Sequence, residues 1–307
     1  LKRKYGIGVE YSLLRPEQYV KRVQEERAAG RYPWDVFIGG SGTLFSNLKR
    51  LGALEPIESA LILPDVKDPG SWRGGRLPFS DRDRLALFFL YETAQRVFIN
   101  TIFSKPEDIT SYRDLLKPQW KGKILISKDP RDPGSGRYLF MFFYTHKDLG
   151  PDFIRELAQR DLMLPKDADE ADLWLTQGKY AICFCNNAQA ARLALIREGV
   201  PLKPLDPHLI KEGGSVSTTF ANVGFANRAP NPNAAKVLIN WLLSQEAGTI
   251  LSKVTGLASP RADVSNEFAK PFSVPGPGWS NMGQEEIQAK EPEMVKLVEE
   301  VFGEKGL

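Results

Sequence analysis

The sequence predicts an α/β fold of two lobes, joined by two crossing strands with a ligand cleft between the lobes. Three observations predict it. Apolar runs of strand length alternate along the chain with runs of helical period. A second strand–helix series, 99–222, is inserted into a first one made of 1–98 and 223–307. Three of the strands end in turns rich in Gly, Ser, Thr and Asn, each directly before a helix. Such alternation implies largely parallel sheets.

Each element follows from a local signal. Residues 1–6 read as the end of a helix closed by Gly6, so that helix is expected to begin upstream of Leu1. Residues 7–11 (IGVEY) have a strand pattern. A helix over 17–29 follows, with Pro16 at a natural first position and Tyr19, Val20 and Val23 apolar. Strand 35–38 leads into a helix over 44–51, where Leu44, Phe45, Leu48 and Leu51 recur near the 3.6-residue period and Gly52 stands as cap. The stretch 65–79 reads as loop, 85–91 and 96–103 as strands, and 111–116 as a short helix. Strand 122–126 opens the second series, with helices near 138–144, 151–160 and 167–177, strand 180–185 and a helical stretch 188–198. Segments 202–205 and 217–225 are extended. A strong helix spans 232–244 and is prolonged over 245–251. Residues 276–283 read as irregular, and 291–302 as a final amphipathic helix. The segments 96–103 and 217–225 are the expected crossings, and two lobes so joined can close about a hinge.

The turns carry the chemistry. In Gly39-Gly40-Ser41-Gly42-Thr43, glycines let a guest approach the backbone, and the first N–H groups of a helix have no intrahelical partner. Such a turn suits an anion or a polar oxygen. The strand KGKILI ends in a second one, which reaches Gly134-Ser135-Gly136 at a helix start, and YAICFC ends in a third, Asn186-Asn187. An ordinary connection whose Ser or Thr only caps a helix explains one such turn; three suggest one polar ligand approached from several sides. The candidate ligand-binding residues are Gly40, Ser41, Gly42, Thr43, Gly134, Ser135, Gly136, Asn186 and Asn187.

Composition narrows the partners. At 307 residues the chain can hold two cores. Its 41 basic and 38 acidic residues leave +3, too little to imply a nucleic acid or another polyanion. No apolar run is long enough for a membrane span, and no signal peptide is visible. Cys183 and Cys185 share one strand face, are poorly placed to bond each other, and lack companions for a zinc set; they read as small buried thiols. His146 and His208 sit in charged loops and read as surface residues without a triad. Trp72, Trp120, Trp174 and Trp241 read as core, and Trp279 as the one tryptophan with a claim on a cleft. The acidic run 167–172 reads as a solvated helix start.

The segments DVFIGGSGTLFSNLKRLGALEPI, DLLKPQWKGKILISKDPRDPGSG and FANVGFANRAPNPNAAKVLINWLLSQEAGTIL, with the late Ser259-Pro260-Arg261-Ala262-Asp263, occur in an order that is quite specific. Through them the chain resembles the bacterial extracellular solute-binding proteins of ABC importers, with the type 2 periplasmic-binding fold, in the branch that contains ferric-ion binders. The resemblance implies a monomer that captures a small solute between its lobes and delivers it to a membrane permease. It implies a periplasmic or extracellular location, with or without a lipid anchor, no catalysis, and a first strand and most of a first helix upstream of Leu1. By position, the family's ligand contacts fall on 41–43, 134–136 and 186–187. Ferric-binding relatives carry a tyrosine pair where this chain has Asn187-Ala188. Ferric ions want anionic oxygen ligands, so Fe3+ is disfavoured and no cofactor is expected. A phosphonate, a phosphate ester, a sugar or a carboxylate is compatible. Two other classes share the fold. An enzyme such as a thiamine pyrimidine-precursor synthase needs a cysteine- or histidine-rich motif, which the sequence does not display. An effector-sensing regulator carries a DNA-binding helical segment, and no basic helix-turn-helix is evident.

Overall fold

The computed structural model describes residues 1–93, 97–132, 135–185, 201–218, 221–270 and 274–303. Its strands are β1 (Val36–Gly39), β2 (Leu54–Glu55), β3 (Ala86–Phe88), β4 (Glu92–Thr93), β5 (Val97–Asn100), β6 (Ile124–Ile126), β7 (Ile182–Phe184), β8 (Leu202–Pro204), β9 (Ser215–Ser217), β10 (Asn222–Ala226) and β11 (Ser280–Asn281). Its α-helices are α1 (Lys2–Tyr5), α2 (Pro16–Ala28), α3 (Pro64–Lys67), α4 (Ser135–Thr145), α5 (Gly150–Ala158), α6 (Ala168–Thr176), α7 (Pro232–Leu242), α8 (Gln245–Thr255), α9 (Glu285–Gln288) and α10 (Glu291–Phe302). A π-helix, Gly42–Lys49, follows β1.

The chain forms two compact units. Unit 1 is Leu1–Glu92, Ser217–Val274 and Gly283–Gln288; unit 2 is Thr93–Val216, Pro275–Met282 and Ala289–Leu307. The expected division was 1–98 with 223–307 against 99–222. The chain instead leaves unit 1 within β4 and returns within β9. The segments expected to cross, 96–103 and 217–225, contribute β5 and β10 to the sheets of their own units. Both strands are buried along their whole length, as interior strands are. The last helix also changes unit. α10 packs on α4 and α5, with Phe302 edge-to-face on Phe140 and an Arg137–Glu291 ion pair.

In unit 1, β10 is the central strand. β1 runs along one side of it, and β2 and β3 share the other. All three pairings are antiparallel. In unit 2 the order is β6-β7-β5-β8, and β5 is antiparallel to both neighbours. Parallel pairing is seen at β6–β7 and β9–β11. The expectation of largely parallel sheets is therefore corrected: in unit 1 the returning strand β10 lies between β1 and the β2/β3 side, and in unit 2 β5 lies between β7 and β8, each antiparallel to its neighbours. A small sheet, β11-β9-β4, contains both crossing points.

Several local expectations hold and some fail. Gly6 and Gly52 take left-handed conformations, with φ 69° and 60°. Ser111 caps Tyr112–Leu116, and Asp167 caps α6 by accepting from the Glu170 N–H. The segment 232–251 is two helices, because Ser244 is extended and its hydroxyl starts α8 by accepting from the Ala247 N–H. Residues 7–11 are not a strand. They find no neighbouring strand among the described residues, and an unpaired run cannot make a ladder; Val9 and Tyr11 stay exposed. The helical stretch expected over 188–198 lies outside the described residues.

The core of unit 1 gathers Ile57, Leu61, Val66, Leu87, Leu90, Val223 and Ile239 around Trp72, whose indole N–H donates to the Val66 carbonyl. Arg261, nearly fully buried, lies over the Trp72 ring and pairs with Asp263 and Asp65, while donating to the Leu243 carbonyl. The Arg261-Ala262-Asp263 motif is thus a piece of scaffold. Unit 2 is held by rings: Phe140, Phe143, Phe153 and Phe184 meet edge-to-face. Replacing Phe140 with Ala should cost about 3–5 kcal/mol. A denaturant titration that puts the loss below about 1 kcal/mol would contradict this account of the unit 2 core.

Candidate functional site

The first candidate turn is placed by β1. This strand ends at Gly39, which is paired with Asn222, the first residue of β10. The chain then turns through Gly40 into the π-helix, expected as an ordinary helix over 44–51 and found wound from Gly42 to Lys49. Leu44 and Leu48 are fully buried and anchor it to β1, α2 and Leu54. The first backbone bond of the turn is from the Leu44 N–H to the Gly40 carbonyl at 3.1 Å. The N–H groups of Ser41, Gly42 and Thr43 precede it, where helices leave donors unpaired. π-Helical turns are uncommon and concentrate at functional sites.

The side chains divide into two sets. Ser41 is buried, and its hydroxyl is engaged with Thr218 at 3.3 Å and with the Asn222 amide at 3.5 Å. Asn222, fully buried, is the centre of the group. Its amide also donates to the Gly39 carbonyl at 3.1 Å and to Thr218 Oγ1 at 3.2 Å, and its carbonyl oxygen accepts from Ser80 Oγ at 2.6 Å. Thr43 differs: it is 8% exposed and its hydroxyl has no hydrogen-bond partner among the described residues. Gly42 is exposed, has negative φ, and a Cβ built on it would meet nothing within 4 Å. Neither packing nor backbone conformation requires a glycine there.

At the far end of the same helix, Lys49 meets three carboxylates: Glu285 at 2.7 Å, Asp83 at 2.8 Å and Asp81 at 3.7 Å. Burial opposes the charge of Lys49, but its bonds to Asp83 and Glu285 outweigh burial and hold its ammonium above the ordinary lysine value.

The second candidate turn follows β6 in unit 2. The Ser127 N–H and hydroxyl both donate to the Phe184 carbonyl, at 3.1 and 3.2 Å. Arg131 pairs with Asp129 through two guanidinium nitrogens. Burial would raise the Asp129 carboxyl, yet the Arg131 bonds hold it below the usual range. Arg137 is spent on Glu291 and the Arg131 carbonyl. Gly136 is a packing glycine: a Cβ there would lie 2.5 Å from the Lys128 carbonyl oxygen. Ser135 opens α4, and Gly134, Asn186 and Asn187 lie outside the described residues.

The remaining conspicuous residues are structural. Cys183 and Cys185 are free and buried, and burial pushes the Cys183 thiol up, away from reactivity. His146 is half-buried rather than on the surface; it packs on Phe142, and burial holds its imidazole below the usual value. His208 is exposed and stacks on Trp279 at 4.8 Å. Trp279 is wedged against Gly213, Gly214 and Gly276 within unit 2. Sequence reasoning missed Asn222, Thr218 and Ser80. The only signal was a run of small polar residues, Ser215 to Thr218, beside the strand that returns to unit 1.

The fold belongs to a known class. The fold is that of the two-lobed periplasmic binding proteins. Iron- and citrate-bound FutA (IdiA) of Trichodesmium superimposes with a TM-score of 0.71 at 20% identity, covering 98% of this chain and 92% of that one. AfuA of Actinobacillus pleuropneumoniae, bound to fructose-6-phosphate, gives 0.58 at 18% identity over 97% and 92%. Iron uptake protein A1 of Synechocystis sp. is 23% identical over 263 residues, 81% of this chain and 67% of its own length. Residues 1–275 match the family model for bacterial extracellular solute-binding proteins, and the chain belongs to that family. It is the substrate-binding component of an ABC importer, and the family works outside the cytoplasmic membrane. No helix among the described residues is long and apolar enough to cross a membrane.

If Gly136 serves packing, Gly136→Ala should destabilise the protein by about 1–3 kcal/mol, since the clashing partner is a main-chain carbonyl that cannot rotate away. An alanine variant as stable as the parent in chemical unfolding would return Gly136 to the list of solute-facing positions.

Proposed function

We propose that the protein captures an anionic, oxygen-rich organic solute at its small-residue turns and hands it, as a monomer, to a membrane permease. One observation carries the reading: the turn Gly40–Thr43 offers donors the protein does not use. Ser41, Gly42 and Thr43 present N–H groups ahead of the first helical bond, Thr43 keeps a sheltered hydroxyl without a partner, and Gly42 leaves the approach open. The turn brings N–H and hydroxyl donors and no carboxylate, which favours a carboxylate, phosphonate or phosphate ester over a cation. In unit 2, Ser135 and the stretch that holds Asn186 and Asn187 are proposed as the further contacts. A role without catalysis is supported by the family, whose members bind solutes.

The solute can be read directly, by mass spectrometry of what the natively purified protein releases on denaturation. With that compound, Thr43→Val should weaken binding about fivefold, the worth of one hydrogen bond. Gly42→Ala should weaken it as well while holding or raising the melting temperature, since the added methyl group meets only open space. Unchanged affinity in both variants would remove this turn from the site.

A second reading is favoured by the relatives, which include iron uptake proteins and an iron- and citrate-bound structure. The cargo would be ferric iron already wrapped in a polycarboxylate, its anionic face taken by the same donors, so that Asn187-Ala188 need supply no metal ligand. Calorimetry with ferric citrate, citrate and a bare ferric salt separates the cases. The chelate reading expects ferric citrate to bind and the bare salt to yield no tyrosinate-to-iron absorption. A tyrosinate band with stoichiometric iron would refute both readings of the donor set.

A further inference from the structure

Ser80 and Asp81 are neighbours in the chain, yet they reach opposite ends of the π-helix. Ser80 donates to Asn222, whose amide fixes the Gly39 carbonyl and the Ser41 hydroxyl at the N-terminal end. Asp81 faces Lys49, the last residue of the helix, with Oδ2 at 3.7 Å from Nζ. The other oxygen is used locally: Oδ1 accepts from the N–H groups of Leu85 and Ala86, at 2.9 and 3.1 Å, and so shapes the turn into β3. Oδ2 is buried and accepts no hydrogen bond. A buried carboxylate oxygen without a donor is costly and calls for a reason.

The surroundings supply one. Lys49 is also held by Glu285 and Asp83. Glu285 is tied to the same stretch of chain, its N–H donating to the Ser80 carbonyl at 3.0 Å and its carboxylate accepting from the Arg82 N–H at 3.2 Å. The groups that grip Lys49 are thus members of the Ser80–Leu85 turn or anchored on it. The ammonium fills the middle of the carboxylates, so the cluster works as a tether for the helix end.

We propose that Ser80-Asp81 is a two-ended brace that fixes the winding of the helix Gly42–Lys49, which makes Asp81 and Asn222 positioning residues for the turn Gly40–Thr43. The word positioning rests on the reading of that turn as solute-facing; the brace itself does not.

The test uses the solute-free full chain. Burial raises the Asp81 carboxyl above the ordinary aspartate value, against the opposing bonds of Ala86 and Leu85 and the charge of Lys49. Its raised value in the folded state means that stability is present when the group is protonated and is lost as pH rises through that value. At pH 7 Asp81→Asn removes this cost, so the melting temperature is expected to hold or rise. The amide resonances of Ser41, Gly42 and Thr43 should nevertheless move, and exchange of the amides over 45–49 should quicken about tenfold, as for a segment freed at one end. Lys49→Gln, which removes the other partner, should move the same resonances. The proposal stands if both variants shift Ser41–Thr43, and is overturned if either leaves them in place, whatever its melting temperature. Because the readout needs no solute, normal binding by both the Thr43→Val and Gly42→Ala variants would end the solute reading without touching this result.

Discussion

The side chain of Asn222 is the constraint on which the candidate site depends. A strand that returns from a long excursion must find its place in a sheet already begun, and β10 does so with its first residue. Ladder bonds alone would fix β10 against β1 but say nothing about the loop beyond Gly39. Asn222 extends the registration past the strand end, because one amide group reaches the last carbonyl of β1, the first side chain of the turn and the hydroxyl of Thr218. Its own oxygen is satisfied by Ser80. A fully partnered buried amide of this kind fixes geometry where an apolar residue would only fill space.

This placement also orders the assembly of unit 1. β1 and β10 are some 180 residues apart, so their pairing bears the entropy of closing the whole inserted unit. Contacts of such long range form late unless one partner is already organised. Unit 2 is closed by its own ring cluster, and the insertion can fold as a body before β10 docks.

Much of the architecture was legible in the sequence, and the reasons are local. The 3.6-residue period, Pro at first helical positions, Gly6 and Gly52 as caps and Asp167 as a starting residue are signals a helix needs whatever surrounds it. The pairing was less legible. IGVEY alternates like a strand but meets no partner among the described residues, and strand direction cannot be read from periodicity, which is the same in both directions. The turn Gly39–Thr43 was visible because small residues before a helix are a local signal. Asn222 was not, because an Asn in a strand announces nothing; its meaning comes from Ser80 and Ser41, each more than a hundred residues away. Gly136 shows what a local pattern leaves out. Its place in a Gly-Ser-Gly turn suggested a ligand, and the Lys128 carbonyl, which leaves no room for a side chain there, is a second reason for the glycine that only the folded chain displays.

Three departures from ideal local structure in unit 1 fall together. The π-wound helix, the Thr43 hydroxyl without a partner among the described residues and the donorless Asp81 oxygen all belong to one helix and the segment that braces it. Sequences that fold well are consistent at every level, and they break that consistency where something other than stability is selected. A regular α-helix with an apolar residue at 43 and an amide at 81 would pack more economically. It would also lose the hydroxyl at 43 and the tether that holds its winding. A turn that meets a solute, as proposed for this one, needs donors that are unsatisfied yet held still, and these two demands oppose each other, because an unsatisfied group is one the protein itself does not hold. Here they are met by separate atoms: Asn222 and Ser80 fix the backbone through Ser41 and Gly39, so that Thr43 and the N–H groups around Gly42 can remain unspent.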